Sequence, residues 1–148
     1  MTTDACFSCE QNARLSELPD CERIVVSDHW RLAHSFNSAL PGWLVAVPIR
    51  HVTALEDLTP EEAAPLGELI YKASLALRKV TGCLKVYVMF FAESEGFQHV
   101  HFHLVPRMEN FTDEQRGPNV FTFLKHPESD WVPLEERDRL AAAIRGAM

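Results

Sequence analysis

Apolar positions along the chain fall into two kinds of run. Short runs at residues 22–26 and 30–34, separated by Ser27-Asp28, predict a strand pair joined by a turn. Trp43-Leu-Val-Ala-Val-Pro-Ile49, entered through the breaker Pro41-Gly42, predicts a third strand. A helical period follows. Thr59 is suited to an N-cap, Pro60 to the first helical position, and Glu62 completes a capping box. Ala63, Leu66, Ile70, Ala73, Leu77 and Val80 then recur at spacings of three and four up to Thr81-Gly82, predicting one amphipathic helix. Residues 84–92 and 98–105 predict two more strands joined by an acidic turn, and residues 134–148 a terminal helix with Leu140 and Ile144 on one face. Strands around one long helix, without βαβ alternation, predict an α+β fold with an antiparallel sheet.

Length and composition narrow this picture. A chain of 148 residues without internal repeat, low-complexity tract or Gly/Ser linker predicts a single domain over residues 1–148. Fourteen Lys and Arg against 21 Asp and Glu leave a formal charge of −7, with no basic run to displace counterions from a nucleic acid, so no nucleic-acid partner is expected. The Met1-Thr2-Thr3-Asp4-Ala5 start has neither basic flank nor apolar core, and the longest apolar stretch, residues 86–92, is far below the roughly 20 residues of a membrane helix. No membrane partner is expected, and a reducing cytoplasmic location is. There Cys-x-x-Cys points to metal or redox chemistry before it points to a disulfide.

The chemistry concentrates in Gln98-His99-Val100-His101-Phe102-His103-Leu104-Val105. On a strand His99, His101 and His103 share one face, while Val100, Phe102 and Leu104 share the core face. Three titratable rings in register serve no packing purpose. Nor can a straight strand bring all three to one ion, because His99 and His103 would stand roughly 13 Å apart and zinc–nitrogen bonds are about 2.1 Å. At least one imidazole is left for nucleophilic or acid–base work.

Cys6-Phe7-Ser8-Cys9 offers two thiolates spaced for one tetrahedral ion. His51 follows the third strand and His99 opens the histidine run, which makes Cys2His2 zinc the metal hypothesis. Taken alone, Cys6 and Cys9 are ordinary thiols and His51 an ordinary turn residue; their company raises them.

These residues resemble the histidine triad (HIT) family of nucleotide hydrolases and transferases. His99 to Val105 matches its alternating histidine signature, and Cys6-x-x-Cys9, Pro41-Gly42, residues 43–51 and Pro106-Arg107 follow the family's order. The likeness spans residues 6–107 and leaves 108–148 as a C-terminal extension. It implies an antiparallel sheet with a long helix, a homodimer, and a nucleotide α-phosphate against the triad. His101 would attack phosphorus, His103 would hydrogen-bond a phosphate oxygen, and structural zinc would sit on Cys6, Cys9, His51 and His99, as in zinc-binding bacterial members. Ser35 and Asn37 stand where the family contacts ribose, Phe7 and Phe36 could line the base, and Gly96, Phe97 and Arg107 flank the triad as further substrate contacts. Two positions depart from the pattern. Trp43 replaces a phosphate-binding His and could stack on a base or fill the core, and Glu95 lies in a turn that elsewhere cradles phosphate. The function implied is hydrolysis or transfer at the α-phosphate of a dinucleoside polyphosphate or nucleoside phosphoramidate, through a nucleotidyl-histidine. The alternative, motivated by Trp43 and Glu95, is a zinc-stabilised nucleotide-binding regulatory module.

Overall fold

The structure, a computed structural model, describes residues 5–148; Met1–Asp4, on which the expectation about a leader rests, lie outside them. Strands β1 (Val25–Val26), β2 (Trp30–His34), β3 (Leu44–Pro48), β4 (Lys85–Phe90) and β5 (Phe102–Arg107) form one antiparallel sheet in the order β1-β2-β3-β5-β4. Helices α1 (Phe7–Asn12), α2 (Pro60–Ala63), α3 (Leu66–Thr81) and α4 (Leu134–Ala147) complete the α+β fold that the hydrophobic pattern predicts.

Period-two alternation gives the sheet two distinct faces. Trp30, Leu32, Leu44, Ala46 and Leu104 pack on Ala73, Ala76 and Leu77 of α3 and on Leu140, Ala141 and Ile144 of α4. That single apolar layer joins the C-terminal helix to the rest of the chain. The intervening positions face the other way. Trp43 and Val105 pack there on Leu40, Phe111 and Val120, so the coiled segment after β5 covers part of this face. The remainder stays open. Register carries a row across it, in which Ala33 pairs with Val45, Val45 with His103, and His103 with Met89.

Several predicted boundaries move, each for a local reason. The helix expected to run unbroken from Pro60 divides at Ala64-Pro65, because Pro65 lacks an N–H and its ring crowds the preceding turn. The capping box is present: Thr59 Oγ1 accepts from Glu62 N at 3.2 Å, and Glu62 Oε2 accepts from Thr59 N at 2.9 Å. Strand β1 shrinks to two residues, since Glu22 ends a 3-10 turn (Asp20–Glu22) and sends its carboxylate to Arg31. Most consequential, the strand expected over 98–105 begins only at Phe102. His99 and His101 precede it, in a stretch where Val100 N donates to Val52 O at 2.7 Å instead of joining the ladder.

Gly42 makes the entry to β3 possible. Its φ is +88°, and a Cβ there would meet Thr81 Cγ2 at 3.1 Å, Leu77 Cδ1 at 3.2 Å and Pro106 Cγ at 3.3 Å. Left-handed geometry alone disfavours an L side chain by about 1–2 kcal/mol, and the contact with α3 adds to it. Gly42→Ala is expected to destabilise the protein by about 2 kcal/mol or more, read as a lower urea midpoint with unchanged slope.

Candidate active site and metal centre

The open part of the second sheet face floors a cavity of about 420 Å³. Arg31 and Ala33 of β2, Val45 and Val47 of β3 and His103 of β5 supply the floor, all at positions alternating with the apolar layer. Phe7, Phe36 and Phe97 form an aromatic wall, with ring centroids 4.7 Å (Phe7–Phe36) and 5.4 Å (Phe7–Phe97) apart. Phe121 and Leu124, from the 3-10 segment Gly117–Leu124, close another side. Phe121 stands edge-on to His103 at 5.3 Å, and Trp131 edge-on to Phe36 at 6.0 Å, so the C-terminal extension shapes the cavity of its own chain.

Loops bring the polar residues in. Buried His34 clasps the excursion after β2: its Nδ1–H donates to Ser35 O at 2.8 Å, and its Nε2 accepts from Gly42 N at 2.9 Å. The segment held this way puts Ser35, Phe36 and Asn37 on the cavity, with Ser35 Oγ donating to Asn37 Oδ1 at 2.9 Å. Burial pushes the His34 pKa down to about 4, so the clasp is a neutral ring. Neither His34 nor Arg31 stands out in the sequence. The one signal for Arg31 is a cation on the alternate face of an otherwise apolar strand.

The triad divides in space. His101 Nδ1–H donates to the His99 carbonyl at 2.7 Å, which leaves the lone pair on Nε2. The His101 and His103 rings meet edge-on with centroids 4.8 Å apart, and both line the cavity. Burial lowers the pKa of both rings, in His103 to about 3 with His101 adding to the effect. Both are therefore neutral at pH 7. A free imidazole nitrogen beside a second ring, on the floor of an aromatic-walled cavity, is an arrangement for nucleophilic attack.

His99 turns the other way. Its Nδ1 lies 3.5 Å from Cys6 Sγ and 3.6 Å from Cys9 Sγ, while Cys9 Sγ lies 3.2 Å from His51 Nδ1. All four donor atoms fall within 4.8 Å of one another. Ligands about 2.0–2.3 Å from a tetrahedral ion are separated by about 3.3–3.8 Å; the two His99 contacts match such an edge, and the Cys9–His51 contact is slightly shorter. His99 Nε2–H donates to Pro48 O at 2.9 Å, the outer contact that orients a metal-binding imidazole. Burial, with Cys6 alongside, pushes the Cys9 thiol up to about 11, a cost that a cation between the sulfurs reverses. The donor set fits zinc.

Three of the sequence candidates sit elsewhere. Trp43 is fully buried behind His103 and neither lines the cavity nor offers a face for stacking. Arg107, at the far end of β5, donates to Met108 O at 2.7 Å and does not reach the cavity. Gly96 supports the wall from outside: its φ is +80°, and its carbonyl accepts from Phe7 N at 3.2 Å. Among the described residues Arg31 is the only Lys or Arg on the cavity, and it is taken. Its guanidinium meets Glu22 Oε2 at 3.3 Å, Glu22 O at 2.8 Å and Asn12 Oδ1 at 2.8 Å. Burial raises the Glu22 pKa and lowers that of Arg31, each against the pull of its partner. Glu93 and Glu95 line the cavity as well, following Ala92 at φ +55°.

Comparison with known proteins agrees with this anatomy. A family model described as the HIT domain matches residues 18–110. Among solved structures, a Hit-like protein from Bartonella henselae is 25% identical, with a TM-score of 0.69 and 90% of each chain covered. A histidine triad protein from Sinorhizobium meliloti is 26% identical, with a TM-score of 0.71 over 92% of this chain and 94% of that one. A zinc-bound histidine triad protein from Mycobacterium smegmatis shares the fold at 19% identity, with a TM-score of 0.67 and 97% and 95% coverage. A curated relative, the asymmetrical bis(5'-nucleosyl)-tetraphosphatase of Schizosaccharomyces pombe, is 29% identical over 98 residues, 64% of this chain, which spans about half (53%) of that protein. A family model covering well over half of the chain, on a fold shared along nearly its whole length, makes this protein a member of the HIT family.

Proposed function

We propose that the protein hydrolyses or transfers a nucleotide at its α-phosphate, with His101 as nucleophile. The observation that carries this reading is the 2.7 Å bond from His101 Nδ1–H to the His99 carbonyl, which leaves an unprotonated Nε2 at a cavity suited to a nucleoside. The aromatic wall receives the base, Ser35 and Asn37 meet the ribose, and the α-phosphate lies against His101 and His103. His101 Nε2 forms a bond to phosphorus as the bond to the leaving group breaks. The leaving group departs with the electron pair and takes up a proton. Water or another acceptor then attacks the nucleotidyl-histidine and restores the free ring. The curated relative's name points to dinucleoside polyphosphates, while a cavity with Glu93 and Glu95 and, among the described residues, no unpaired cation suits a phosphoramidate better.

Incubation with adenosine phosphoramidate, diadenosine polyphosphates and nucleotide sugars tests this by release of AMP. His101→Ala is expected to lose about a thousandfold or more in turnover and to keep AMP binding, because the ribose and base contacts remain. Near-native turnover in that variant would reject His101. Binding of AMP without cleavage of any substrate would favour the regulatory-module reading.

Cys6, Cys9, His51 and His99 hold one structural zinc in this reading, as in zinc-binding bacterial members, and a reducing cytoplasm keeps the thiols available. Elemental analysis is expected to find one zinc per chain, and chelation to lower the melting temperature. Protein prepared without chelator and free of zinc would remove the assignment.

The partner is a second copy of the chain. Strand β4 is an edge of the sheet, and Val88 on it, Leu84 just before it and Tyr71 and Leu75 on α3 are apolar yet 45–65% exposed. Light scattering at micromolar concentration is expected to give a dimer mass, and Leu75→Glu a monomer. A monomeric native protein would overturn the homodimer.

A further inference from the structure

Trp43 occupies a place where its chemistry matters beyond bulk. Its Nε1–H donates to His103 Nδ1 at 3.0 Å. An indole nitrogen donates and never accepts, so His103 Nδ1 must be the bare nitrogen. A neutral imidazole with a bare Nδ1 carries its one proton on Nε2. Every side-chain nitrogen and oxygen buried beyond solvent among the described residues has a hydrogen-bond partner. His103 Nε2 has none of these partners, so it keeps contact with the cavity the ring lines.

The indole cannot drift. Leu40, Val105, Phe111 and Val120 surround it, Phe121 stands edge-on at 5.6 Å, and its own carbonyl accepts from Ser35 N at 2.8 Å. We propose that Trp43 is a positioning residue that fixes His103 as a hydrogen-bond donor to the phosphoryl group. This rests on the reading of His101 as nucleophile. The two rings then offer opposite polarity to one phosphorus. His101 presents a lone pair, because its one proton sits on Nδ1 and is donated to the His99 carbonyl, and His103 presents an N–H, because the Trp43 N–H occupies its other nitrogen. A histidine or glutamine in place of Trp43 could turn either way, and the donor would no longer be defined.

Long-range 1H–15N spectra of histidine-labelled protein read the tautomer without any variant. The native spectrum is expected to give His103 a bare Nδ1 and a protonated Nε2. Trp43→Phe keeps the aromatic bulk and removes the donor; it should mix the His103 tautomers. With adenosine phosphoramidate as substrate, its kcat is expected to fall about tenfold or more while KM stays within about twofold, because the donor acts on charge that grows in the transition state. A native Nδ1–H signal overturns the proposal, and so does a Trp43→Phe enzyme with native kcat. If Trp43→Phe does not fold, the native spectrum and an AMP titration decide: AMP should shift His103 Nε2, and an unmoved resonance overturns the proposal. The same titration decides if the native protein cleaves nothing, an outcome that defeats the hydrolase reading separately.

Discussion

Residue 99 carries two constraints at once, and the site depends on both. Its side chain closes the cluster of Cys6, Cys9 and His51, with the far ring nitrogen tied to Pro48 O. Its carbonyl, pointing elsewhere, accepts a hydrogen bond from His101 Nδ1–H. The backbone can satisfy both only because the chain has not yet entered β5 at this point. In a regular ladder that carbonyl would face a neighbouring strand or solvent, and the three rings would stand in a row. The irregular stretch before Phe102 thus turns the His99 ring toward the Cys6/Cys9/His51 cluster and the His101 ring, two residues away, toward the cavity. Whatever holds the four-residue cluster rigid also holds the tautomer of His101.

The sheet makes the division possible at larger scale. One face is committed to apolar packing with α3 and α4, which leaves the other free to be a floor. Arg31 on that floor is buried with Glu22 and Asn12, so its charge is spent within the protein. Removing either partner of such a pair would strand a charge away from water, typically a loss of about 3–5 kcal/mol. The pair therefore acts as a structural tie at the cavity edge. In the proposed reading, phosphate charge is left to N–H donors and ring dipoles, which select by geometry more than by net charge.

Much of this was legible in the residue pattern. The strands at residues 30–34 and 43–49 are marked by their apolar runs, and the reach of one metal ion already implied that His99, His101 and His103 would not share a single task. The capping box at Thr59 and Glu62 is local and forms as the sequence indicates. What escaped has physical causes. The apolar stripe passes through Pro65 without a change of period, so spacing hides the break. The perfect alternation of residues 98–105 suggests a strand, yet the bond from Val100 N to Val52 O, across distant sequence, decides otherwise. Phe121 and Leu124 lie in a 3-10 segment with no period to read. Arg107 is near the triad in sequence but far along a strand, where about 3.3 Å per residue separates it from His103. Of the two roles the sequence left open for Trp43, stacking on a base or filling the core, the structure shows the second, and its nitrogen also meets His103.

The clasp made by His34 gives the cavity loop a proton linkage. The ring takes up no proton until about pH 4, whereas the same residue in an unfolded chain protonates near 6.5. Its contribution is complete above the unfolded value and drains away as acidity rises through that interval, since the unfolded state binds the proton first. A proton on Nε2 would also turn the acceptor of Gly42 N–H into a second donor facing it. Arg137 of α4 adds to this resistance, and Glu136 opposes it. Acid therefore acts on the segment carrying Ser35, Phe36 and Asn37 through a ring whose hydrogen bonds go to Ser35 and Gly42 alone, coupling the shape of the cavity wall to solution pH.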